Sequence, residues 1–408
     1  MGLERVGIVS KRLGVHFDCP VIIVGGTNGK GSTCTMLQSI LMRAGYRVGL
    51  YTSPHIHHFN ERASINGEEL PDEAFLSGFN AVETARRTTE LTYFEFTTLA
   101  ILHQFANAGL DAVILEVGLG GRLDAVNVID ADVAIVTNIG IDHTDYLGDT
   151  RELIGHEKAG IYRSGRTAIC GDPEPPDSLL SHAEEIGCNL RLLGRDFSYA
   201  AGEKTWRYEG HGDWHLQLDY PSLQGVNQIG NASLSLAALE ALRQRLPVDA
   251  QAIRDGLRLA YLPGRFQILP GRPQVILDVA HNPHAAAVLA DNLGRMPSGG
   301  SVHAVFGAMA DKDIESIVRI MDKAVDYWYI TDLPVARAAS AEHIREILQK
   351  VIDAGSGKWL QIYTSPAAAL SAAKNRTAEN DKIVAFGSFW TVAGVTQRDD
   401  AEFGKRSA

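Results

Sequence analysis

The sequence predicts an α/β fold in two parts: a parallel sheet opened by a glycine-rich loop, then a smaller Rossmann-like α/β domain. Three observations predict it. The apolar run Pro20-Val-Ile-Ile-Val24 runs straight into Gly25-Gly-Thr-Asn-Gly-Lys-Gly-Ser32 and then into a helical pattern through Leu37, Ile40 and Leu41 to Gly45. Short apolar runs alternate with helical patterns through the first third of the chain. The same alternation restarts after the turn-rich stretches Leu262-Pro-Gly-Arg-Phe and Pro270-Gly-Arg-Pro273.

In the first part the strands are Pro20–Val24, Val48–Tyr51, Ala112–Val117 and Val133–Thr137, with a helix from Tyr93 to Ala108. Asp196 to Pro221 is rich in Gly, Trp, Tyr and His, and Trp214–Leu218 alternates, which predicts a β-excursion. Helices follow over Ala232–Leu246 and Ala250–Leu262. In the second part, strands are expected at Val275–Val279, Val302–Phe306, Trp328–Ile330, Leu360–Tyr363 and Lys382–Phe386. Helices are expected at Pro283–Leu293, Ile314–Ala324, Ala341–Ala354 and Phe389–Val395, and a frayed polar tail from Gln397. The domain boundary is set between residues 268 and 269.

Composition narrows the class. The 408 residues are 45% hydrophobic and 21% charged, as in a soluble globular protein. A net charge of −11 argues against nucleic acid or an anionic membrane as partner. Cys19, Cys34, Cys170 and Cys188 have no paired metal spacing and read as reduced thiols of a cytoplasmic protein. The start Met1-Gly-Leu-Glu-Arg is not a signal peptide, and no apolar stretch is long enough to span a bilayer.

Glycines let the backbone of residues 25–32 curl until its N–H groups converge, and the helix start adds its positive dipole end. Lys30 supplies a cation for the outer phosphates, and Ser32 or Thr33 a hydroxyl for Mg²⁺. These residues predict a phosphate loop for a nucleoside triphosphate, although a strict Walker loop would place Ser or Thr directly after the lysine, where Gly31 stands. Glu116 ends a strand beside this loop, where a metal carboxylate is expected; its alternative is a buried carboxylate satisfied by loop amides. Ser53 and His143 fall at the same sheet edge, His143 being as readily structural as a ligand. His55, His57 and His58 look like a zinc cluster but lack accompanying ligands at finger spacing, so they read as a polar loop. On composition alone Lys158 reads as a solvated helix lysine.

Gly26-Thr-Asn-Gly-Lys-Gly-Ser32 resembles the nucleotide loop of the Mur ligase superfamily. Thr52-Ser-Pro-His55, Leu91-Thr-Tyr-Phe-Glu95, Leu115-Glu-Val-Gly-Leu-Gly-Gly-Arg-Leu-Asp124 and Asp142-His-Thr-Asp145 resemble folate-ligase signatures. So do Glu157-Lys-Ala-Gly160, Leu262-Pro-Gly-Arg-Phe-Gln267 and Asp278-Val-Ala-His-Asn-Pro-His284. The chain is similar, from about Gly2 to about Val395, to the family of bacterial bifunctional dihydrofolate synthases/folylpolyglutamate synthases. The resemblance implies a P-loop ATPase domain of Mur-ligase type over residues 1–268 and a C-terminal glutamate ligase domain over 269–408.

It implies an ATP-dependent ligase that joins L-glutamate to 7,8-dihydropteroate and to reduced folates through an acyl phosphate, with closure of the second domain excluding water. Thr27, Asn28, Gly29, Lys30, Gly31 and Ser32 would hold the phosphates, with Asn231, Arg265 and Asp278 also on ATP. Ser53, Glu116 and His143 would coordinate Mg²⁺. Lys158 would be carbamylated, which turns a cation that Mg²⁺ repels into an anion that suits it. Lys30, Lys158 and His143 would be the catalytic set. Thr92, Tyr93, Phe94, Glu95, Leu123, Asp124 and Ala125 would line the pteroate site. Asp124 either accepts from the pterin edge or only caps the turn that follows it. Family members carry a longer N-terminal segment with an Ile-Asp-Leu stretch contributing to that pocket, and this chain begins just past it, so weaker dihydropteroate binding is expected. A monomer is expected. Rival readings are a folylpolyglutamate synthase only, another Mur-type amino-acid ligase, and a P-loop switch protein. The last lacks a guanine-reading motif, since Thr137-Asn-Ile-Gly140 has no lysine.

Overall fold

The computed structural model describes residues 2–212, 214–297, 299–352 and 358–396. The chain divides into two compact units: Met1–Ser222 with Asn227–Leu262, and Leu223–Val226 with Pro263–Ala408.

The first unit contains eleven strands among its described residues. They are β1 (Val21–Gly25), β2 (Val48–Tyr51), β3 (Ala63–Ile65), β4 (Glu68–Glu69), β5 (Ala112–Glu116), β6 (Val133–Val136), β7 (Thr167–Cys170), β8 (Asn189–Leu192), β9 (Ser198–Ala201), β10 (Thr205–Glu209) and β11 (His215–Asp219). Its helices are α1 (Glu4–Leu13), α2 (Lys30–Arg43), α3 (Asp72–Arg86), α4 (Tyr93–Ala106), α5 (Thr144–Leu147), α6 (Arg151–Ala159), α7 (Asp177–Ile186), α8 (Gln228–Ala241) and α9 (Ala250–Leu259). The main sheet has the order β4-β3-β2-β5-β1-β6-β7-β8. Its core pairs are parallel, and only the β2-β3-β4 edge is antiparallel. Every residue of β1 and β5 is buried, which is why they read as unbroken apolar runs. The β-excursion is the antiparallel sheet β11-β10-β9.

Helix α2, which begins at Lys30, is clamped by α8 and α9. Ser235 of α8 donates its hydroxyl to the Thr33 carbonyl at 3.2 Å, and Ser39 donates to the Gly256 carbonyl of α9 at 2.7 Å. An added Cβ at Gly256 would lie 2.4 Å from Ile40 Cα, so only glycine lets α9 approach this closely. The helix expected at Ala232–Leu246 starts earlier, at Gln228, and ends at Ala241. Gln228 and Asn231 are buried and bonded to each other inside its first turn. The helix expected to run from Ala250 to Leu262 stops at Leu259.

The second unit has β12 (Gln267–Leu269), β13 (Gln274–Leu277), β14 (Val302–Phe306), β15 (Tyr327–Thr331), β16 (Trp359–Tyr363) and β17 (Lys382–Phe386). Its helices are α10 (Pro283–Arg295), α11 (Ile314–Met321), α12 (Ala341–Val351), α13 (Pro366–Arg376) and α14 (Phe389–Thr396). The sheet order is β12-β13-β17-β14-β15-β16, parallel except for β12. Strand β12 lies between the two turn-rich stretches Leu262–Phe266 and Pro270–Pro273. Ala354 and the tail from Gln397 lie outside the described residues.

Candidate functional site

The loop between β1 and α2 needs its glycines. Gly26 has φ 137° and Gly29 has φ 84°. A Cβ on Gly26 would sit 1.8 Å from Thr137 Oγ1, and one on Gly29 would sit 2.5 Å from Asn231 Oδ1. Residues 137–140, just after β6, hold the loop open. Thr27 N–H donates to the Asn138 carbonyl at 2.9 Å, and Thr27 Oγ1 donates to the Gly140 carbonyl at 3.0 Å. Asn28 N–H donates to Asn138 Oδ1 at 3.0 Å, and Thr137 Oγ1 donates to the Asn28 carbonyl at 2.6 Å.

Lys30 folds back over this loop, its Nζ donating to the Gly26 and Thr27 carbonyls at 3.0 and 3.1 Å. Of the two candidate hydroxyls, Thr33 donates to the Gly29 carbonyl, whereas Ser32 accepts from Gln228 Nε2 at 3.4 Å. Gln228 in turn accepts from Asn231 Nδ2 at 3.0 Å, so Asn231 belongs to the loop's supporting wall.

Two flanks enclose the loop at the carboxyl ends of the strands. On one flank Glu116, the last residue of β5 and the register partner of Val24, is buried. Its Oε2 accepts the Ser53 N–H at 3.1 Å, which brings Ser53 and Glu116 together. On the other flank His143 follows β6 in a left-handed conformation (φ 54°), its N–H bonded to Asp142 Oδ1 at 2.8 Å and its ring half-exposed. A buried carboxylate beside a glycine loop is the hard oxygen donor a Mg²⁺ ion requires, so this part of the site fits a divalent metal with ATP.

Lys158 overturns the compositional reading: it is buried, 3% exposed, on α6. The end of α6 packs on the turn Gly118–Asp124. Arg122 N–H donates to the Glu157 carbonyl at 2.7 Å, and Arg122 Nη2 pairs with Glu157 Oε1 at 2.6 Å. Gly121 leaves the room for this contact, since a Cβ there would meet the Glu157 carbonyl oxygen at 2.8 Å. Burial lowers the Lys158 pKa to about 7, the charge of Lys30 pushes the same way, and Asp142 opposes both.

A cavity of about 440 Å³ opens beside Ser53. Thr92, Phe94, Glu95, Leu123, Asp124 and Ala125 line it, as do Arg5 and Arg62. Tyr93 does not line it; its ring is exposed and lies 6.5 Å from that of Phe59. Thr92 and Glu95 form a capping box for α4: Glu95 N–H donates to Thr92 Oγ1 at 3.2 Å, and Thr92 N–H donates to Glu95 Oε2 at 2.7 Å. Glu95 Oε1 accepts from Arg5 Nε at 2.9 Å. Phe94 lies so close to Gly118 that a Cβ there would be 2.5 Å from its ring.

Asp124 is both cap and cavity wall. Its Oδ1 accepts the Val126 N–H at 3.0 Å and its Oδ2 the Leu119 N–H at 2.9 Å. Burial raises its pKa to about 6, against the pull of backbone donors and Lys30. Arg5 and Arg62 carry no signal in the sequence, because they reach the cavity from segments remote from Phe94 and Asp124. The three histidines form the polar loop expected: Glu61 accepts the N–H groups of Ile56, His57 and His58. They do not gather as a metal cluster among the described residues.

In the second unit Asp278 follows β13. Its Oδ1 accepts the Ala280 N–H at 2.7 Å and its Oδ2 the Phe266 N–H at 2.9 Å, and burial raises its pKa. Arg265 lies over the Phe389 ring, 5.1 Å from its centroid. Asn282 caps α10 by accepting the Ala285 N–H.

A glycine loop, a buried strand-end carboxylate and a following open-sheet domain define a Mur-type ligase, and residues 24–238 match the Mur ligase middle domain while 264–389 match the Mur ligase glutamate ligase domain. The chain is 47% identical over 402 residues, 98% of its length and 92% of the relative's, to the dihydrofolate synthase/folylpolyglutamate synthase of Escherichia coli strain K12. The solved E. coli FolC in complex with DHPP and ADP is 46% identical, with a TM-score of 0.92 over 99% of this chain and 94% of that one. A bifunctional folylpolyglutamate synthase/dihydrofolate synthase with Mn, AMPPNP and L-glutamate bound is 41% identical, with a TM-score of 0.90 over 98% and 94%. The chain belongs to the dihydrofolate synthase/folylpolyglutamate synthase family of Mur ligases. Among the described residues no helix is long and apolar enough to cross a membrane.

Proposed function

We propose that this protein is an ATP-dependent ligase that adds L-glutamate to 7,8-dihydropteroate and to reduced folates. The observation that carries the reading is the cavity walled by Phe94 and Asp124, which reaches Ser53 and through it Glu116 beside the nucleotide loop. One end suits a flat ring with a donor edge and the other adjoins the phosphates.

The substrate carboxylate attacks the γ-phosphorus of ATP, the β–γ bridging bond breaks, and an acyl phosphate and ADP result. The amine of glutamate then attacks the acyl carbon, its proton leaves to solvent, and phosphate departs to give the amide. Thr27–Ser32 hold the phosphates with converging backbone N–H groups. Lys30 leaves its two loop carbonyls to follow the transferred phosphoryl group. A divalent metal, when bound, offsets the phosphate charge. Ser53, Glu116 and His143 are the residues proposed to hold it. Lys158 is neutral for much of its time near pH 7, since its pKa is lowered to about 7. A neutral amine can take up CO₂ and lose a proton, giving a carbamate that suits the metal side of the site. Asn231, Arg265 and Asp278 are assigned to the nucleotide. The enzyme is read as a cytoplasmic monomer with no nucleic-acid or membrane partner.

The test is ADP release by purified protein with ATP, Mg²⁺ and glutamate, comparing dihydropteroate with tetrahydrofolate. Release that needs glutamate and either pteroyl substrate is expected. Turnover indifferent to both would favour a nucleotide switch, and turnover with tetrahydrofolate alone would leave a folylpolyglutamate synthase only.

A further inference from the structure

The loop between β2 and β3 places a cation on the cavity wall that the chemistry above does not use. Arg62 ends the turn Phe59–Arg62 and lines the cavity with Ser53 and Pro54. Its carbonyl accepts the Thr52 N–H at 2.9 Å. The neighbouring Glu61 carboxylate gathers the N–H groups of Ile56, His57 and His58 at 2.6, 2.7 and 2.8 Å, which ties the loop together. The side chain itself is held twice. Nε donates to His55 Nδ1 at 2.9 Å, and Cζ lies 5.4 Å from the Phe59 ring centroid. A ring nitrogen that accepts belongs to a neutral histidine, and burial first, then the Arg62 charge, lowers the His55 pKa.

The two remaining guanidinium nitrogens of Arg62 have no hydrogen bond or ion pair with protein among the described residues. Arg5, the other cation of the cavity, already serves Glu95. Arg62 is thus a half-buried fork on the cavity wall with two nitrogens uncommitted, and planar forks of this kind recognise carboxylates. Its place is at the acyl end of the cavity, because it is bonded through Thr52 to the strand end that carries Ser53 and so adjoins Glu116.

We infer that Arg62 is a specificity-determining residue that receives the non-reacting α-carboxylate of a glutamylated first substrate. Dihydropteroate has one carboxylate, which must go to the nucleotide. A folate presents its γ-carboxylate there and brings a second, three carbons away, into the same end of the cavity. The inference rests on the ligase reading and separates its two first substrates.

The test measures kcat/KM for Arg62→Gln, Arg62→Lys and the unaltered enzyme on three substrates. These are dihydropteroate, tetrahydrofolate, and a tetrahydropteroyl analogue with γ-aminobutyrate in place of glutamate, which lacks only the α-carboxylate. Arg62→Gln is expected to raise the tetrahydrofolate KM roughly ten- to a hundredfold. Dihydropteroate and the analogue should change by no more than about twofold. Removing the α-carboxylate should cost the unaltered enzyme what Gln costs with tetrahydrofolate, and Lys, which keeps charge without the fork, should fall between. Equal losses on all three substrates, or none on any, overturn the inference. If the substitutions disturb folding, the analogue on the unaltered enzyme decides: an analogue bound as well as tetrahydrofolate overturns it. The same ratios read as equilibrium binding with ADP present test the contact even where glutamate transfer fails, so failure of the ligase reading is seen separately.

Discussion

Asp124 performs two tasks that one substitution can separate. Its carboxylate accepts two backbone N–H groups, from Val126 and Leu119, while forming part of the cavity wall. Burial raises its pKa from 3.8 to about 6 in the folded protein. Between these values the folded state binds the proton and the unfolded chain has released it. Stability from this group therefore falls as pH rises from about 4 to 6, by about 3 kcal/mol in total, and is flat above. Asp124→Asn cannot titrate, so it lacks this fall. It also offers one acceptor oxygen where two N–H groups need partners, which costs about 1–3 kcal/mol at every pH. In urea titrations the variant should be the less stable at about pH 4.5, and the gap should narrow by about 2 kcal/mol by about pH 7.5. In steady-state assays its dihydropteroate KM should rise roughly ten- to a hundredfold with the ATP KM unchanged, because the ionised acceptor for the ring's donor edge is lost. The unaltered enzyme should lose dihydropteroate affinity as pH drops through about 6, and the variant should not. A dihydropteroate KM that ignores both the substitution and pH would show that Asp124 only caps the turn.

Lys30→Ala should lower turnover with either pteroyl substrate by roughly a hundred- to a thousandfold while the circular dichroism spectrum is preserved; near-normal turnover would remove Lys30 from phosphoryl transfer. Lys158→Ala should be inactive and partly restored by added short carboxylates, and mass spectrometry of the active protein under CO₂ should find the carbamate; an active enzyme with a free amine there refutes the assignment. Gly29→Ala forces a left-handed alanine, at about 1–2 kcal/mol, with its Cβ against Asn231 Oδ1. The ATP KM should rise and the dihydropteroate KM should not, and an unchanged ATP KM would mean that the loop tolerates the side chain.

The parts of the site that are legible in the sequence are those where backbone must do the chemistry. Gly26 and Gly29 announce a phosphate loop because their positive φ and close neighbours exclude a side chain, and Lys30 announces it as a cation at the start of the following helix. Glu116 is legible because it ends a strand where a glycine turn begins, and Asp124 because it closes that turn. Lys158 is not, because its burial comes from the seating of α6 on Gly121, a contact between segments far apart in the chain. Strand β7 offers only three apolar residues, Ala168–Cys170, after Arg166 and Thr167, and β8, at the sheet edge, carries Asn189 and Arg191, so neither reads as an apolar run. Tyr93 shares a motif with Phe94 but points elsewhere, since neighbours on a helix face different directions. Arg62 is invisible until His55, Phe59 and Glu61 are seen to fix it.

The most direct test of the account is the fate of a heavy-oxygen label. Dihydropteroate labelled in its carboxylate is incubated with the enzyme, ATP, Mg²⁺ and L-glutamate, and the phosphate released is examined by mass spectrometry. An acyl phosphate predicts one labelled oxygen in each phosphate formed, matched one-for-one by pteroyl-glutamate amide, and the same with labelled tetrahydrofolate. Phosphate that carries no label, formed at the same rate as ADP, would contradict the ligase mechanism outright.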